Sequence, residues 1–252
     1  MGIVTVTAGN IEKEHICCAI SDKKGENCIG SKKTWLKDRF EDGLVFKKLD
    51  ERGKVFIEYI PAEKAFVPIK ADNYMYIDCF WVSGKFKGQG YANILLNECI
   101  DDAKNKGKEG LVALSSKKKM PFLSDPKYLK YKGFKVCDSA QPYYDLLYLP
   151  FNKTVKEPRF KDCAREGIID EKNMVLYYSN QCPYSEKYAN IIKRVANERN
   201  MNFTLKKIKT LNEAQNAPSP FTTYSLFIDG KFETNEILSE KKFLKILELK
   251  GI

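Results

Sequence analysis

The hydrophobic pattern along the chain predicts alternating strands and helices in two successive groups. In the first group, the strongest strand is the run from Tyr74 to Val82, which is apolar on both faces and is therefore expected near the middle of a sheet. The other strands are predicted at residues 3–7, 44–50, 54–60, 111–115, 134–138 and 143–149, with a weak edge segment at 66–69. In the second group, they are predicted at residues 174–179, 203–209 and 224–228.

Helices are predicted where a capping residue precedes apolar residues that recur every three to four positions. Asn10 and Ser31 would cap helices over 10–22 and 31–40, and further helices are expected over about 125–133, over 183–197 and from Ser239 onward. The clearest helix starts at about residue 91 and ends near Gly107. Its apolar positions form one stripe, which consists of Ala92, Leu95, Leu96, Cys99 and Ala103.

This order of elements predicts an α/β (α+β) fold in two domains. Residues 1–150 would form a mixed sheet flanked by helices. Residues 151–172 lack a clean period and are interpreted as a connector, and residues 173–252 would form a smaller α/β domain.

Composition narrows the class of protein. The chain has 252 residues, of which 43% are hydrophobic, and this is enough for a substantial core. No apolar run is long enough to span a membrane, and the first residues lack the features of a signal peptide. We therefore expect a cytoplasmic protein without a membrane partner.

The net charge of +10 raises the possibility of a nucleic-acid partner. The excess of basic residues is spread over both predicted domains, and no nucleic-acid-binding motif accompanies it. We therefore expect no nucleic-acid partner.

The eight cysteines form no CxxC pair, and several lie among apolar residues. Reduced thiols are therefore expected rather than disulfides or a metal site. The single histidine, His15, leaves little basis for a Ser-His or Cys-His nucleophile or for a histidine-rich metal site, so no metal is expected.

Two glycines separate the strongest strand from the clearest helix, in the sequence Lys87-Gly88-Gln89-Gly90-Tyr91-Ala92. Bare backbone at the start of a helix suits a phosphate group, because unpaired N–H groups meet the positive end of the helix dipole. A P-loop requires Gly-Lys-Ser/Thr, and a dinucleotide fold requires a third glycine at the position of Asn93, so both match poorly. A structural turn without a ligand remains an alternative.

The same six residues resemble the Arg/Gln-x-x-Gly-x-Gly/Ala signature of GNAT-type N-acetyltransferases, and Lys132-Gly133-Phe134 resembles a later motif of that family. The resemblance covers about residues 1–150. It implies that residues 87–92 bind the pyrophosphate of acetyl-CoA, that the strand ending at Val82 aligns the pantetheine arm, and that acetyl passes directly to a primary amine.

The resemblance leaves the catalytic groups open. The family's tyrosine, whose hydroxyl protonates the leaving thiolate, falls on Leu129 here, and Tyr128 and Tyr131 flank it. Tyr128 is the candidate acid, although packing alone would also explain it. Asp78, on the central strand, is the candidate base, because apolar surroundings could raise its pKa. A purely structural carboxylate is the alternative, and an acetylated Cys79 is disfavoured.

The second domain contains Cys182 in the sequence Gln-Cys-Pro-Tyr-Ser, between a predicted strand and helix. A helix N-terminus there would lower the pKa of the thiol. The order of elements over 173–252 resembles a thioredoxin or glutaredoxin core, but Ser185 stands where a second cysteine would be. An alternative function is therefore a monothiol redox or glutathione-binding protein that acts through Cys182.

Together the two domains resemble the bacterial YoaP-like acetyltransferases over nearly the whole chain, with Cys-Pro-Tyr-Ser and the ending EILSEKKFLKIL as the matching motifs. The resemblance does not specify the amine acceptor, which could be a small molecule or a peptide.

Overall fold

The structure of the protein is a computed structural model that describes residues 2–16 and 18–252. The strands are β1 (Ile3–Val6), β2 (Val45–Leu49), β3 (Val55–Pro61), β4 (Ile69–Lys70), β5 (Tyr74–Val82), β6 (Gly110–Ser116), β7 (Lys135–Ala140), β8 (Tyr144–Pro150), β9 (Arg159–Phe160), β10 (Met174–Tyr178), β11 (Phe203–Lys207), β12 (Tyr224–Ile228) and β13 (Lys231–Thr234). The helices are α1 (Cys28–Phe40), α2 (Tyr91–Asn105), α3 (Pro126–Tyr131), α4 (Ser185–Glu198), α5 (Leu211–Gln215) and α6 (Glu240–Lys250).

Seven strands form a large mixed sheet in the order β1-β2-β3-β5-β6-β8-β7. β5 is the fourth strand, which confirms its predicted central place. β5 and β6 are parallel, and the other described pairs in this sheet are antiparallel. The parallel pair is possible because α2 crosses over between the two strands.

Each face of the large sheet has its own apolar core. α2 packs on one face through Leu95, Leu96 and Cys99, and α3 adds Leu129. These α2 positions belong to the predicted apolar stripe. α1 covers the opposite face through Trp35 and other side chains, together with residues 62–71. Burial of these side chains is the main term that holds the layers together.

A second, four-stranded mixed sheet follows in the order β11-β10-β12-β13. β10 and β11 are parallel and are connected through α4, while β12 and β13 pair antiparallel. Helices α4 and α6 cover one face with Ile192, Val195, Phe243 and other apolar residues. The predicted cap Ser239 accepts a hydrogen bond from the backbone N–H of Lys242.

Residues 151–172 join the two sheets and carry a short strand that the sequence did not predict. β9 pairs antiparallel with β4, so the weak segment around Ile69 forms a separate two-stranded ribbon. Arg165 holds the segment to β7 through an ion pair with Asp138 at 2.8 Å. The N–H of Ile169 donates to the carbonyl of Gly230 at 2.9 Å. The connector is therefore packed against both sheets.

The prediction of a helix over residues 10–22 is wrong. Asn10 lies in a succession of turns, where its side-chain oxygen accepts from the N–H of Thr7 at 2.7 Å, and an isolated bridge follows between Ile16 and Ala19. An asparagine side chain that bonds to nearby backbone stabilises a turn as readily as it caps a helix.

Two helix starts also differ from the prediction. α1 begins at Cys28, so Ser31 lies inside its first turn, and its hydroxyl donates to Glu186 of α4 at 3.1 Å. α5 was not predicted, although Thr210 and Glu213 form a capping box at its start. That pattern was readable in the sequence, but the helix is short and carries little periodic signal.

Among the described helices, none is both long and apolar enough for a membrane crossing. The seven described cysteines are free thiols, and Cys17 lies outside the described residues.

Candidate active site

A wedge-shaped gap opens between β5 and β6. Their pairing runs from Tyr74 opposite Gly110 to Ile77 opposite Ala113 and then stops. Beyond that point β5 continues beside β3 as far as Val82, and β6 continues beside β8. The β5 backbone from residue 78 to 82 therefore has one side that no described strand pairs with.

A β-bulge lies at the point where the strands separate. Glu58 of β3 is opposite Cys79 and Tyr59 is opposite Ile77, so Asp78 is the extra residue. Bulges redirect a side chain and end regular pairing. This bulge presents the Asp78 carboxyl beside the gap.

The glycine loop lies just past the end of β5. Gly88 has a φ of +77° and Gly90 a φ of +83°, a backbone region that glycine adopts without strain. No heavy atom lies within 4 Å of a Cβ built on either residue, so the space in front of the loop is open. The sequence had predicted bare backbone at this junction, and the structure contains it.

The amides at this loop are available to a ligand. α2 starts at Tyr91 without a side-chain cap. Among residues 2–16 and 18–252, no group accepts a hydrogen bond from the backbone N–H of Gly88, Gln89 or Gly90. The exposed side chain of Lys87 forms no ion pair with the described residues. The loop therefore offers N–H donors, a helix dipole and a cation to an anion.

Side chains around the loop hold its shape. The Gln89 side-chain amide donates to the carbonyl of Lys85 at 2.6 Å. Phe86 is buried, and its ring lies 6.0 Å from that of Tyr91 in an edge-on contact. Ala92, in the first turn of α2, is half-buried. These contacts leave the backbone of the loop facing outward.

The structure distinguishes between the two candidate tyrosines. The Tyr128 hydroxyl donates to the Asn93 side-chain oxygen at 3.1 Å, and its ring lies edge-on to Phe80 at 5.6 Å. Tyr131 is 81% exposed and Leu129 is buried. Tyr128 is therefore the tyrosine that faces both the start of α2 and the end of β5. Burial raises the pKa of Tyr128 to about 12.

On the opposite face of the sheet, β3 carries a buried ion pair. The Lys32 ammonium of α1 lies 2.8 and 2.7 Å from the two Glu58 carboxylate oxygens and donates to the Gln181 carbonyl at 2.7 Å. Burial is the largest single effect and disfavours the charged form of Lys32, but the charge and hydrogen bonds of Glu58, together with Cys18 and Cys79, outweigh it, so the pKa of Lys32 is raised. The pair links α1, β3 and the loop that precedes α4.

Asp78 adjoins this pair. The Gln181 side-chain amide donates to Asp78 at 3.3 Å and accepts from the Thr223 hydroxyl at 3.2 Å. Burial raises the pKa of Asp78 well above its ordinary value, and the nearby Glu58 charge raises it further. An elevated pKa in a cleft is a feature of general bases that work near neutral pH.

A cavity of about 410 Å³ lies between the large sheet and the loops of the second unit. It contacts α1, β3 and β5 on one side, residues 121–124 at its edge, and the loops before α4 and β12 on the other side. It is lined by Cys18, Lys32, Lys54, Phe56, Glu58, Asp78, Cys79, Phe80, Trp81, Pro121, Phe122, Leu123, Ser124, Gln181, Cys182, Pro183, Tyr184, Phe221, Thr223 and Glu236.

Cys182 lines this cavity, but its predicted low pKa is wrong. Burial raises the pKa of the Cys182 thiol, and the backbone of Tyr184 and the charge of Lys32 oppose that shift only in part. α4 begins three residues later, at Ser185, whose N–H donates to the Cys182 carbonyl at 3.2 Å. Cys79 lines the same cavity, and burial raises the pKa of its thiol as well.

Lys32, Glu58 and Gln181 were not predicted as site residues. Glu58 gave a signal, because it is the one charged position between Val55 and Ile60 in an otherwise apolar strand. Lys32 and Gln181 gave no such signal. Lys32 bonds to Glu58, which is 26 positions away along the chain, and to Gln181, which is 149 positions away.

One group of side chains has the composition of a metal site. Ligand-type atoms of Asp22, Glu26 and Cys28 lie within 4.8 Å of one another. Protein donors already engage this group, because the Lys187 ammonium contacts Glu26 at 2.7 Å and Asp22 accepts from the N–H of Cys28 at 3.1 Å. We therefore assign no metal to it.

Comparison with known proteins identifies the two units. The acetyltransferase (GNAT) family matches residues 15–122, and the YoaP-like family matches residues 202–245. The uncharacterized N-acetyltransferase YoaP of Bacillus subtilis (strain 168) is 44% identical over 247 residues, covering 98% of each chain.

Solved acetyltransferase structures resemble the chain more distantly. The yncA protein of Salmonella typhimurium, with acetyl-CoA, has 14% identity and a TM-score of 0.41 over 62% of this chain and 96% of its own. The YhbS protein of Escherichia coli, in complex with CoA, has 16% identity and a TM-score of 0.35 over 52% of this chain and 76% of its own. The relationship at 44% identity is the one that assigns this protein: the chain belongs to the GNAT N-acetyltransferases that carry a C-terminal YoaP-like domain.

Proposed function

We propose that this enzyme transfers the acetyl group of acetyl-CoA directly to a primary amine, in the gap between β5 and β6. The observation that carries the proposal is the open glycine loop, whose amides at Gly88, Gln89 and Gly90 have no acceptor among the described residues. The experiment is a calorimetric titration of CoA into the protein, combined with an assay for free CoA release. Absence of CoA binding would refute the proposal.

In this proposal residues 87–92 hold the pyrophosphate. The amides of Gly88, Gln89, Gly90 and Ala92 donate to its oxygens, and Lys87 adds a positive charge. The open side of the β5 backbone ending at Val82 would align the pantetheine arm. Tyr91 belongs to this segment as the first residue of α2, and its ring supports the loop through its contact with Phe86.

The reaction requires an uncharged amine as the nucleophile. Asp78 would accept a proton from the incoming ammonium, and the neutral nitrogen would then attack the thioester carbonyl. As the C–S bond breaks, the thiolate leaves and the amide bond remains. The second proton lost by nitrogen ends on the thiolate, so that the products are the acetylated amine and free CoA. The Tyr128 hydroxyl would stabilise the departing sulfur.

Replacing Asp78 with asparagine is expected to lower kcat by about a hundredfold, because a positioned base contributes on that order. The fraction of Asp78 in the base form increases as the pH rises through its pKa, and the wild-type rate should increase with it. Because this pKa is raised, the increase should occur at a higher pH than for an ordinary aspartate. The variant should lack this rise. Steady-state kinetics against pH measure both effects.

Asp145→Asn is the matched control, because Asp145 is a buried carboxyl on β8 outside the cavity. Its pH profile should follow the wild type. If Asp78→Asn kept both the wild-type rate and the rise with pH, Asp78 would be structural.

Replacing Tyr128 with phenylalanine is expected to lower kcat by roughly tenfold, with little change in CoA affinity. The effect is modest because a phenol with a pKa of about 12 stabilises a thiolate by hydrogen bonding more than by proton transfer. Tyr131→Phe changes an exposed residue and should leave kcat unchanged. Equal rates for both variants would exclude Tyr128 from the reaction.

For the domain organisation, we propose a first domain over residues 1–150, a connector over residues 151–172 and a second domain over residues 173–252. The order of strands and the parallel β10–β11 pair support a thioredoxin-like fold for the last part. A redox function through Cys182 gains no support, because burial favours the protonated thiol. We propose instead that this domain serves the acetyl-transfer site.

A further inference from the structure

We infer that the acceptor is a small primary amine with an apolar, aryl-sized body, bound in the cavity between the large sheet and the YoaP-like domain. The inference rests on the proposed function and adds the substrate class and the domain that selects it. In this arrangement the amine lies at Asp78 and the apolar body points toward the YoaP-like domain.

The size of the cavity suits a small molecule. A volume of about 410 Å³ lies in the range of pockets that enclose metabolite-sized ligands. Two aromatic side chains at its edge, Trp81 and Phe122, are each 48% exposed, although large apolar residues usually lie inside. They mark an apolar mouth through which the amine would enter.

Much of the wall of the cavity is apolar. Aromatic rings contribute from both units, namely Phe56, Phe80, Trp81 and Phe122 from the large-sheet unit and Tyr184 and Phe221 from the YoaP-like domain. Extended peptide backbone would lose its hydrogen bonds to water in such a cavity. An apolar or aromatic body would instead gain from burial.

The charges around the cavity favour a cation. Its charged residues are two lysines and three acidic residues, namely Lys32, Lys54, Glu58, Asp78 and Glu236. Their sum is 0 while Asp78 is protonated, the form that its raised pKa favours, and −1 once Asp78 is in its base form. A bound ammonium group therefore meets a neutral to negative environment, and an anion meets no net positive charge.

Of these residues, Asp78 is the one placed for the reacting nitrogen. The Lys32 ammonium is occupied by Glu58 and by the Gln181 carbonyl. Asp78 lies at the bulge where β5 and β6 separate, so it faces the cavity and also the gap through which the thioester would arrive. The donor and the acceptor would thus approach from opposite faces of the large sheet.

The YoaP-like domain completes this site. Gln181 orients the Asp78 carboxyl through its side chain and holds Lys32 through its carbonyl. Phe221 supplies an aromatic wall, and the neighbouring Thr222 hydroxyl donates to the carbonyl of Phe66, which fixes the loop against the first unit. The first unit alone would leave the cavity open on this side.

The test uses phenethylamine, spermidine and a tripeptide with a free N-terminus as acceptors for the full-length protein saturated with acetyl-CoA. Release of CoA and the mass of the product are measured for each. We expect phenethylamine to have a kcat/KM at least tenfold above the other two. We expect Phe221→Ala to raise the KM for phenethylamine at least fivefold with little change in kcat.

Phe232→Ala is the matched control, because Phe232 is also a partly buried ring between the two units, packed on Tyr144 at 5.8 Å and outside the cavity. It should leave KM unchanged. CoA affinity and the far-UV circular dichroism spectrum should be the same in both variants, which shows that both domains of each variant are folded.

Preference for spermidine or the tripeptide would overturn the inference, and so would equal KM values for the two phenylalanine variants. If the protein binds CoA but ligand-observed NMR detects no phenethylamine on the CoA-loaded form, the inference alone fails. If CoA itself does not bind, the proposed function fails first.

Discussion

Replacing Gly90 with glutamate is expected to weaken CoA binding by more than a hundredfold. The new carboxylate would stand where the pyrophosphate is proposed to bind, and two unit charges 4 Å apart repel by about 4 kcal/mol at an effective dielectric constant of about 20. The substitution also forces a side chain into a φ of +83°. Calorimetric titration of CoA into the variant measures the loss.

Gly107→Glu is the matched control at the other end of α2. Gly107 has a φ of +67° and open space around a built Cβ, so the strain and the added charge are comparable. Its carboxylate lies far from the glycine loop, and CoA affinity should stay within about twofold of the wild type. If Gly90→Glu bound CoA as tightly as this control, the loop would not be the pyrophosphate site.

Replacing Lys32 with methionine is expected to lower the free energy of unfolding by about 3–5 kcal/mol, because it leaves the buried Glu58 carboxylate without its partner. Lys32 and Glu58 are each 1% exposed, so little water reaches the pair to replace the lost ammonium. The loss is a large fraction of the 5–15 kcal/mol that typically stabilises a protein. Denaturant unfolding followed by circular dichroism measures it.

Two further variants isolate the cause. Lys32→Met combined with Glu58→Met removes both charges and should recover most of the lost stability, since an apolar pair of similar size often replaces a buried ion pair without loss. Lys106→Met breaks the exposed pair with Asp102 and should cost under about 1 kcal/mol. A cost for Lys32→Met as small as for Lys106→Met would contradict the role assigned to the buried pair.

Local pattern was sufficient for the elements that surround the glycine loop. β5 was predicted as a central strand because it is apolar on both faces, and α2 because its apolar stripe has a helical period. The two glycines were informative for a physical reason: their positive φ angles are a backbone requirement that few other residues meet. The helix predicted over 10–22 failed because the bonds that Asn10 makes are equally compatible with a turn.

The part of the candidate site around Asp78 could not be predicted in the same way. Asp78 could be selected from its apolar strand, but the bulge that turns it toward the gap depends on how β3 and β5 align. The elevated pKa of Cys182 also depends on burial between two units, whereas the sequence around it indicated only an approaching helix.

The linear order of residues thus indicated the glycine loop and the central strand, because each depends on neighbours within about fifteen positions. The three-dimensional arrangement alone brought Lys32, Glu58 and Gln181 together and enclosed a cavity with walls from both units. These contacts join positions from 26 to 149 residues apart, and their energies depend on exclusion of water, which no local pattern encodes.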